Sequence, residues 1–159
     1  MSILLPVGSL LYFDTGTDPV TPTWTKITEH NRQPLSITKN RIQKVQRMAN
    51  GTLRKFFVAE KREFSVSWTM LPTFSNMTVD GGYAKDEIES FYETSKGQGT
   101  FKIKIVYGKE QTSPYAERSE IVTVSLSSCN FELLKRNVKA RGSDPAQEFW
   151  NASLSMEEV

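Results

Sequence analysis

The sequence holds one cysteine and one histidine in 159 residues. Cys129 alone cannot form an internal disulfide, which matches synthesis in a reducing compartment. His30 alone excludes any metal site or triad that needs two imidazoles, and in a polar loop it reads as a surface residue. Excess charge of one sign is missing too. The 20 Lys and Arg against 18 Asp and Glu leave +2, too little to imply a nucleic-acid or membrane partner. Long apolar runs are lacking. Met1 to Phe13 is apolar, but it has no basic start and is broken by Pro6 and Gly8, so it makes a poor signal peptide and is too short to span a membrane. The Asn-x-Ser/Thr triplets at Asn50, Asn76 and Asn151 therefore carry no expectation of glycosylation. There is no internal repeat and no low-complexity segment.

Chemical motifs are equally sparse. Asp80-Gly81-Gly82 lacks the further glycines and the lysine of a phosphate-cradling loop. Cys129 lies beside an apolar strand and reads as a small buried hydrophobe rather than a nucleophile. Asp86, Glu87, Glu89 and Glu93 read as solubility and dipole residues of one helix, and no carboxylate pair stands out for glycoside hydrolysis. The expectation is a protein that is not an enzyme, with no catalytic, cofactor-binding or metal-binding residues.

What is present is ordinary globular material, 38% hydrophobic, 24% charged and 11% aromatic, which suits a single domain over residues 1–159. Its clearest stretch is Glu63 to Gly108. Phe64, Val66, Trp68 and Met70 alternate with Ser65, Ser67 and Thr69, which predicts a strand with one apolar face. Phe101, Ile103, Ile105 and Tyr107 alternate likewise with Thr100, Lys102 and Lys104. Between them Ala84, Ile88, Phe91 and Tyr92 predict a helix from about Ala84 to Ser95, with Lys96 at its end and Gly97 ending it in a left-handed conformation. So short a helix needs the sheet to dock on.

Elsewhere short strands are expected at Leu10 to Phe13 and, after the loop Asp14 to Thr23, at Trp24 to Ile27 and Leu35 to Thr38. Leu71 to Tyr83 and Lys109 to Arg118 read as contact-making loops. Longer strands are expected at Glu120 to Ser128 and Glu148 to Glu157. Phe131 to Ala140 is extended, and Gly142 to Pro145 turns the chain. Eight or more strands and one helix exceed one flat sheet. The expected fold is mainly β with one helix (α+β), a two-sheet antiparallel sandwich or barrel-like body with the helix packed on its side.

Asn50-Gly51 is the best short hairpin signal, because both residues tolerate positive φ. It predicts an extended hairpin over about residues 40–58, with Leu53 to Val58 on the far side. Ile42, Val45 and Met48 on the near side also satisfy helical spacing, but the turn needs a strand partner. Arg41, Lys44, Arg47, Arg54 and Lys55 make this hairpin strongly basic, with Lys61 and Arg62 at its base. These five are the candidate subunit-contact residues. The alternatives are a plain solvated face, or a β-barrel nucleic-acid-binding module in which Phe56, Phe57 or Tyr107 stack on bases. A sugar-binding sandwich built on Trp24, Trp68 or Trp150 is a third reading, but Trp68 and Trp150 are in register with apolar neighbours and read as core.

The runs Met48 to Val58, Phe64 to Pro72 and Gly99 to Ile105, with a helix ending Phe91-Tyr92 and a closing Phe149 to Glu158, resemble small tail proteins of siphon-tailed bacteriophages. More broadly they resemble the tail-tube fold shared by tube subunits, distal tail proteins and tube-end adaptors. That resemblance implies a ring of copies of this chain, neighbouring phage tail proteins as partners, transient passage of DNA through the lumen, a virion location after assembly in the host cytoplasm, and no membrane. Lumens of such tubes are commonly acidic. The cationic hairpin is then expected to face a neighbour or the outside, which suits a distal tail or tube-end adaptor protein better than the repeating subunit.

Overall fold

The computed structural model describes residues 9–137 and 147–159. The expected turn at Gly142 to Pro145 and the end of the extended stretch beyond residue 137 lie outside the described residues. Among the described residues there are seven strands: β1 (Leu11–Asp14), β2 (Trp24–Lys26), β3 (Ser36–Arg47), β4 (Leu53–Pro72), β5 (Thr100–Lys109), β6 (Glu117–Arg136) and β7 (Glu148–Glu158). Two helices, α1 (Lys85–Glu93) and α2 (Ser95–Gln98), lie between β4 and β5. The strands form one antiparallel sheet in the order β2-β1-β5-β6-β7-β4-β3.

This corrects the expected strand count and the division into two sheets. Leu35 to Thr38 and Ile42 to Met48 belong to one strand, as do Leu53 to Val58 and Phe64 to Met70, and Glu120 to Ser128 continues into the stretch that starts at Phe131. Charged residues that read as interruptions are carried on solvent-facing backbone. Extra residues are taken up as bulges, where the register shifts between Ile42 and Gln43, Trp68 and Leu71, Val106 and Gly108, and Leu126 and Ser128. A bulge bends a strand and sharpens its twist without ending it.

The single sheet is far from flat. β2 and β4 stand five strand intervals apart in the order, about 24 Å if the sheet were planar. Yet Ile27 extends β2, and only five residues later Arg32 bridges Trp68 on β4, a reach of at most about 18 Å. The Trp68 indole Nε1 donates to Thr28 O at 2.9 Å, Gln33 N to Ser67 O at 2.8 Å and Thr69 N to Asn31 O at 3.3 Å. The sheet therefore curls until its first edge meets its sixth strand, giving a barrel-like body from one sheet.

The alternation places Phe64, Val66, Trp68, Phe101, Ile103 and Ile105 in the core as expected, whereas Met70 and Tyr107, at the bulges of β4 and β5, and Tyr92 are exposed. Phe64, Val66 and Trp68 pair with Met156, Leu154 and Ala152, so both strands turn these side chains inward. Phe101 and Ile103 pair with Val124 and Val122, and Leu11 and Phe13 with Ile105 and Ile103. α1 closes the barrel with Ile88 and Phe91, and Phe13, Phe91 and Phe101 meet at ring-centroid distances of 4.9–5.3 Å.

The helix ends differently from the expectation. Thr94 is extended and breaks it after Glu93; its hydroxyl then accepts from Gly97 N at 3.1 Å and caps α2. Gly97 sits buried inside α2 rather than ending α1 in a left-handed conformation. Its need for glycine is close approach: a Cβ there would lie 2.0 Å from Phe91 O. Lys96 leaves the helix axis to pair with Asp14 at 3.0 Å, and Asp14 also accepts from Gly16 N and Thr23 N.

Candidate assembly surface

The far part of the β3–β4 hairpin leaves the body as an arm. β7 pairs with β4 only from Glu63 onward, so among the described strands Leu53 to Arg62 is laddered to β3 alone. The tip is a tight turn in which Gly51 N donates to Met48 O and Met48 N to Thr52 O. Asn50 Oδ1 caps Thr52 N at 3.0 Å. Only Gly51 uses positive φ, at 86°; Asn50 does not, which corrects the reason given for that pair.

The register divides the arm into two faces, because directly paired residues point the same way. Gln43 pairs with Phe57, Val45 with Lys55 and Arg47 with Leu53 on one face. Lys44 pairs with Phe56 and Gln46 with Arg54 on the other, joined there by Ile42. The five predicted contact residues are thus not one patch. Arg41, Arg47 and Lys55 share the first face, Lys44 and Arg54 the second. Arg47 also donates to Gly51 O at 2.9 Å, and Arg41 stands 3.9 Å from Glu60.

The five predicted contact residues, chosen by charge, leave out the apolar half of this surface, of which Phe56 and Phe57 are expected from the sequence only as stacking rings of the nucleic-acid alternative. Phe56, Phe57 and Val58 are 55%, 61% and 72% exposed, and Ile42, Val45, Met48 and Leu53 are exposed beside them. Val58 is the extra residue of the arm's bulge. A two-stranded ribbon is marginal in water by itself, and a run of exposed rings and branched chains marks a surface that is covered in use. The available signal was the Phe56-Phe57-Val58 run itself, whose lack of alternation places apolar groups on both faces.

The root of the arm is built firmly. Arg62 donates from N and Nε to Glu158 Oε2 at 2.9 and 3.1 Å, and its Nη2 lies 2.6 Å from Glu120 Oε1. Its guanidinium lies 5.4 Å from the Phe64 ring centroid, and Tyr107 OH donates to Glu120 Oε2 at 2.9 Å. Hydrogen bonds from Arg62 hold the carboxyls of Glu120 and Glu158 below the usual glutamate range.

Other residues singled out in the sequence have structural partners. The Asp80 carboxylate accepts from Thr28 Oγ1 and Glu29 N, both at 2.8 Å, and from Gly82 N at 3.1 Å. Burial works against its charge, but these bonds keep its pKa below the ordinary value. His30 Nδ1 accepts from Val79 N at 3.2 Å in the same loop. Burial pushes the Cys129 thiol up to about 11, far from a nucleophile's range. Trp68 is core at 1% exposure. Trp150 donates to Thr73 Oγ1 at 3.0 Å, and Lys85 Nζ lies 4.2 Å from its ring centroid. Among the described residues there is no group of three His, Cys, Asp or Glu side chains placed to hold a metal, and no helix is long and apolar enough to cross a membrane.

No protein-family model matches the chain, and no curated protein does. A solved structure is similar: a chain from the tail of an empty GTA (gene transfer agent) particle, computed with helical refinement in C6 symmetry. It shares 9% identity at a TM-score of 0.53, over 95% of this chain and 90% of that one. The likeness is one of fold.

Proposed function

We propose that this protein is a structural subunit of a bacteriophage-type tail that works by self-assembly into rings, forming or terminating the tube through which DNA passes. The carrying observation is the arm, whose rings, branched side chains and cations stand in solvent on both faces. The fold shared with a tail-particle chain supports the same reading. Arg41, Lys44, Arg47, Arg54 and Lys55 then meet other copies or neighbouring tail proteins. The single domain spans residues 1–159, and its place is the virion.

A face suited to a DNA-passing lumen is the solvent side of β4, β7 and β6. Its rows are Ser65, Ser155 and Ser128, then Ser67, Ser153 and Asn130. Hydroxyls and amides without a cation give a phosphate backbone nothing to hold.

Light scattering and negative-stain imaging of the purified chain at high concentration test the reading. Rings or stacks are expected, and a strictly monomeric particle overturns it. The nucleic-acid-binding alternative draws on the same five cations. Phe56 and Phe57 lie on opposite faces, however, so no one side of the arm offers both rings to successive bases. Filter binding of single-stranded DNA at low salt decides that alternative.

A further inference from the structure

The arm has a chemical counterpart on the body of the same chain. A cleft of about 560 Å³ opens beside α1, within the size range that accepts a bound group, and Phe74, Tyr83 and Phe91 form its apolar walls. Asp86, whose Oδ1 lies 3.5 Å from Lys85 Nζ, and Glu87 give it acid, and Ser90 lies exposed on the α1 side. Glu87 Oε1 accepts from Ser75 N at 3.2 Å, and its Oε2 is buried without a hydrogen-bond partner. Lys96, the cation of the cleft, is already paired with Asp14. The site is therefore aromatic within and acidic at its wall.

The arm is the reverse. Lys39 to Arg62 holds eight of the 20 Lys and Arg but only Glu60 of the 18 acids, so the whole-chain charge of +2 divides into +7 on the arm and −5 on the rest. One arm face sets Phe56 between Lys44, its cross-strand partner, and Arg54, two residues along.

We propose that the cleft beside α1 receives the arm of a second copy, with Phe56 entering between Phe74 and Phe91 and Arg54 reaching Asp86. This rests on the self-assembly reading and names its contact. Arm and cleft are different surfaces, so the contact is head-to-tail, and such contacts close into rings when the rotation permits and otherwise run on as filaments. The first face of the arm, with Phe57 and Leu53, stays available to a further neighbour.

Two full-length variants test it by sedimentation velocity, with circular dichroism to check that both keep the fold. Phe56→Asp disables the arm and leaves the cleft, and Ser90→Trp fills the cleft and leaves the arm; both positions are exposed. Each variant alone is expected to associate at least about tenfold more weakly than the unaltered chain, as for loss of a central anchor. Their equimolar mixture is expected to form a dimer that grows no further. If Ser90→Trp assembles like the unaltered chain, or the mixture stays monomeric, the cleft is not the seat of the arm, while self-assembly stands. If the unaltered chain is itself monomeric, the self-assembly reading falls and takes this contact with it. A charge exchange serves where either variant misfolds. Arg54→Glu and Asp86→Arg each weaken association, and a mixture of the two restores it; failure to restore overturns the pairing.

Discussion

Trp68 shows how one side chain settles the shape of the barrel. Its ring is buried on the inward face of β4 while its N–H reaches Thr28 O on the strap that follows β2, so it joins two strands that the sheet order sets far apart. Replacing it with Phe keeps most of the packing but leaves a buried carbonyl short of its donor. That costs about 1–3 kcal/mol, in addition to the volume lost. The expected result is a lower urea midpoint with an unchanged slope. A midpoint equal to that of the unaltered chain would show that the strap closes the barrel without this bond. The sequence announced Trp68 as core through its alternation with Ser67 and Thr69. The partner on residue 28 was hidden, because nothing in a short polar segment says which distant strand it will cross.

At the scale of elements, alternation and turn chemistry carried the reading furthest. The β4 core segment, β5, β7, the helix and the Asn50-Gly51 turn all lie where those signals placed them, since period-2 burial and positive φ at glycine are local properties. Strand ends were less legible. The strand expected at Leu53 to Val58 does not stop there but runs through Glu60, Lys61 and Arg62, because on a ribbon a charge that is exposed or ion-paired can be carried without ending the strand. Arg62 in that run became the root of the arm. Glu120 and Glu158 are held below their ordinary value chiefly by its hydrogen bonds. A depressed carboxylate contributes stability that is present above the unfolded value and is lost as pH falls through the folded one. Stability is therefore expected to decline as pH drops below about 4.5, the ordinary glutamate value. Arg62→Met is expected to flatten that decline, measured as urea midpoints between neutral and acid pH. An equal decline in both proteins would assign it to other carboxylates.

The whole molecule separates its charge in space, with a cationic arm and an acidic remainder. The small net value concealed this, because a sum over the chain carries no information about distance. Charge separated in this way attracts copies of the same molecule head to tail, and salt screens that attraction over about a Debye length. Raising ionic strength from about 0.05 to about 0.5 M is expected to weaken self-association by roughly an order of magnitude, read from light scattering across a concentration series. Association that strengthens with salt would point to the apolar rings as the whole of the contact. The two-sheet expectation failed at this same scale. Counting strands says how much sheet there is, whereas the bulges and the short strap from Ile27 to Arg32 decide that one sheet curls.

Arm and barrel wall are the same piece of backbone. β4 runs from the arm's tip at Leu53 to Pro72 beside the helical layer, and Arg62 clamps it where it leaves the body. A pull on the tip therefore meets the bulge at Val58 but no break in the strand. It travels along the strand and loads the β4–β7 ladder lengthwise, so that many hydrogen bonds resist together instead of parting one by one. An assembly held by such arms would pass tension from copy to copy through the middle of each barrel and would be stiff along the line of pull.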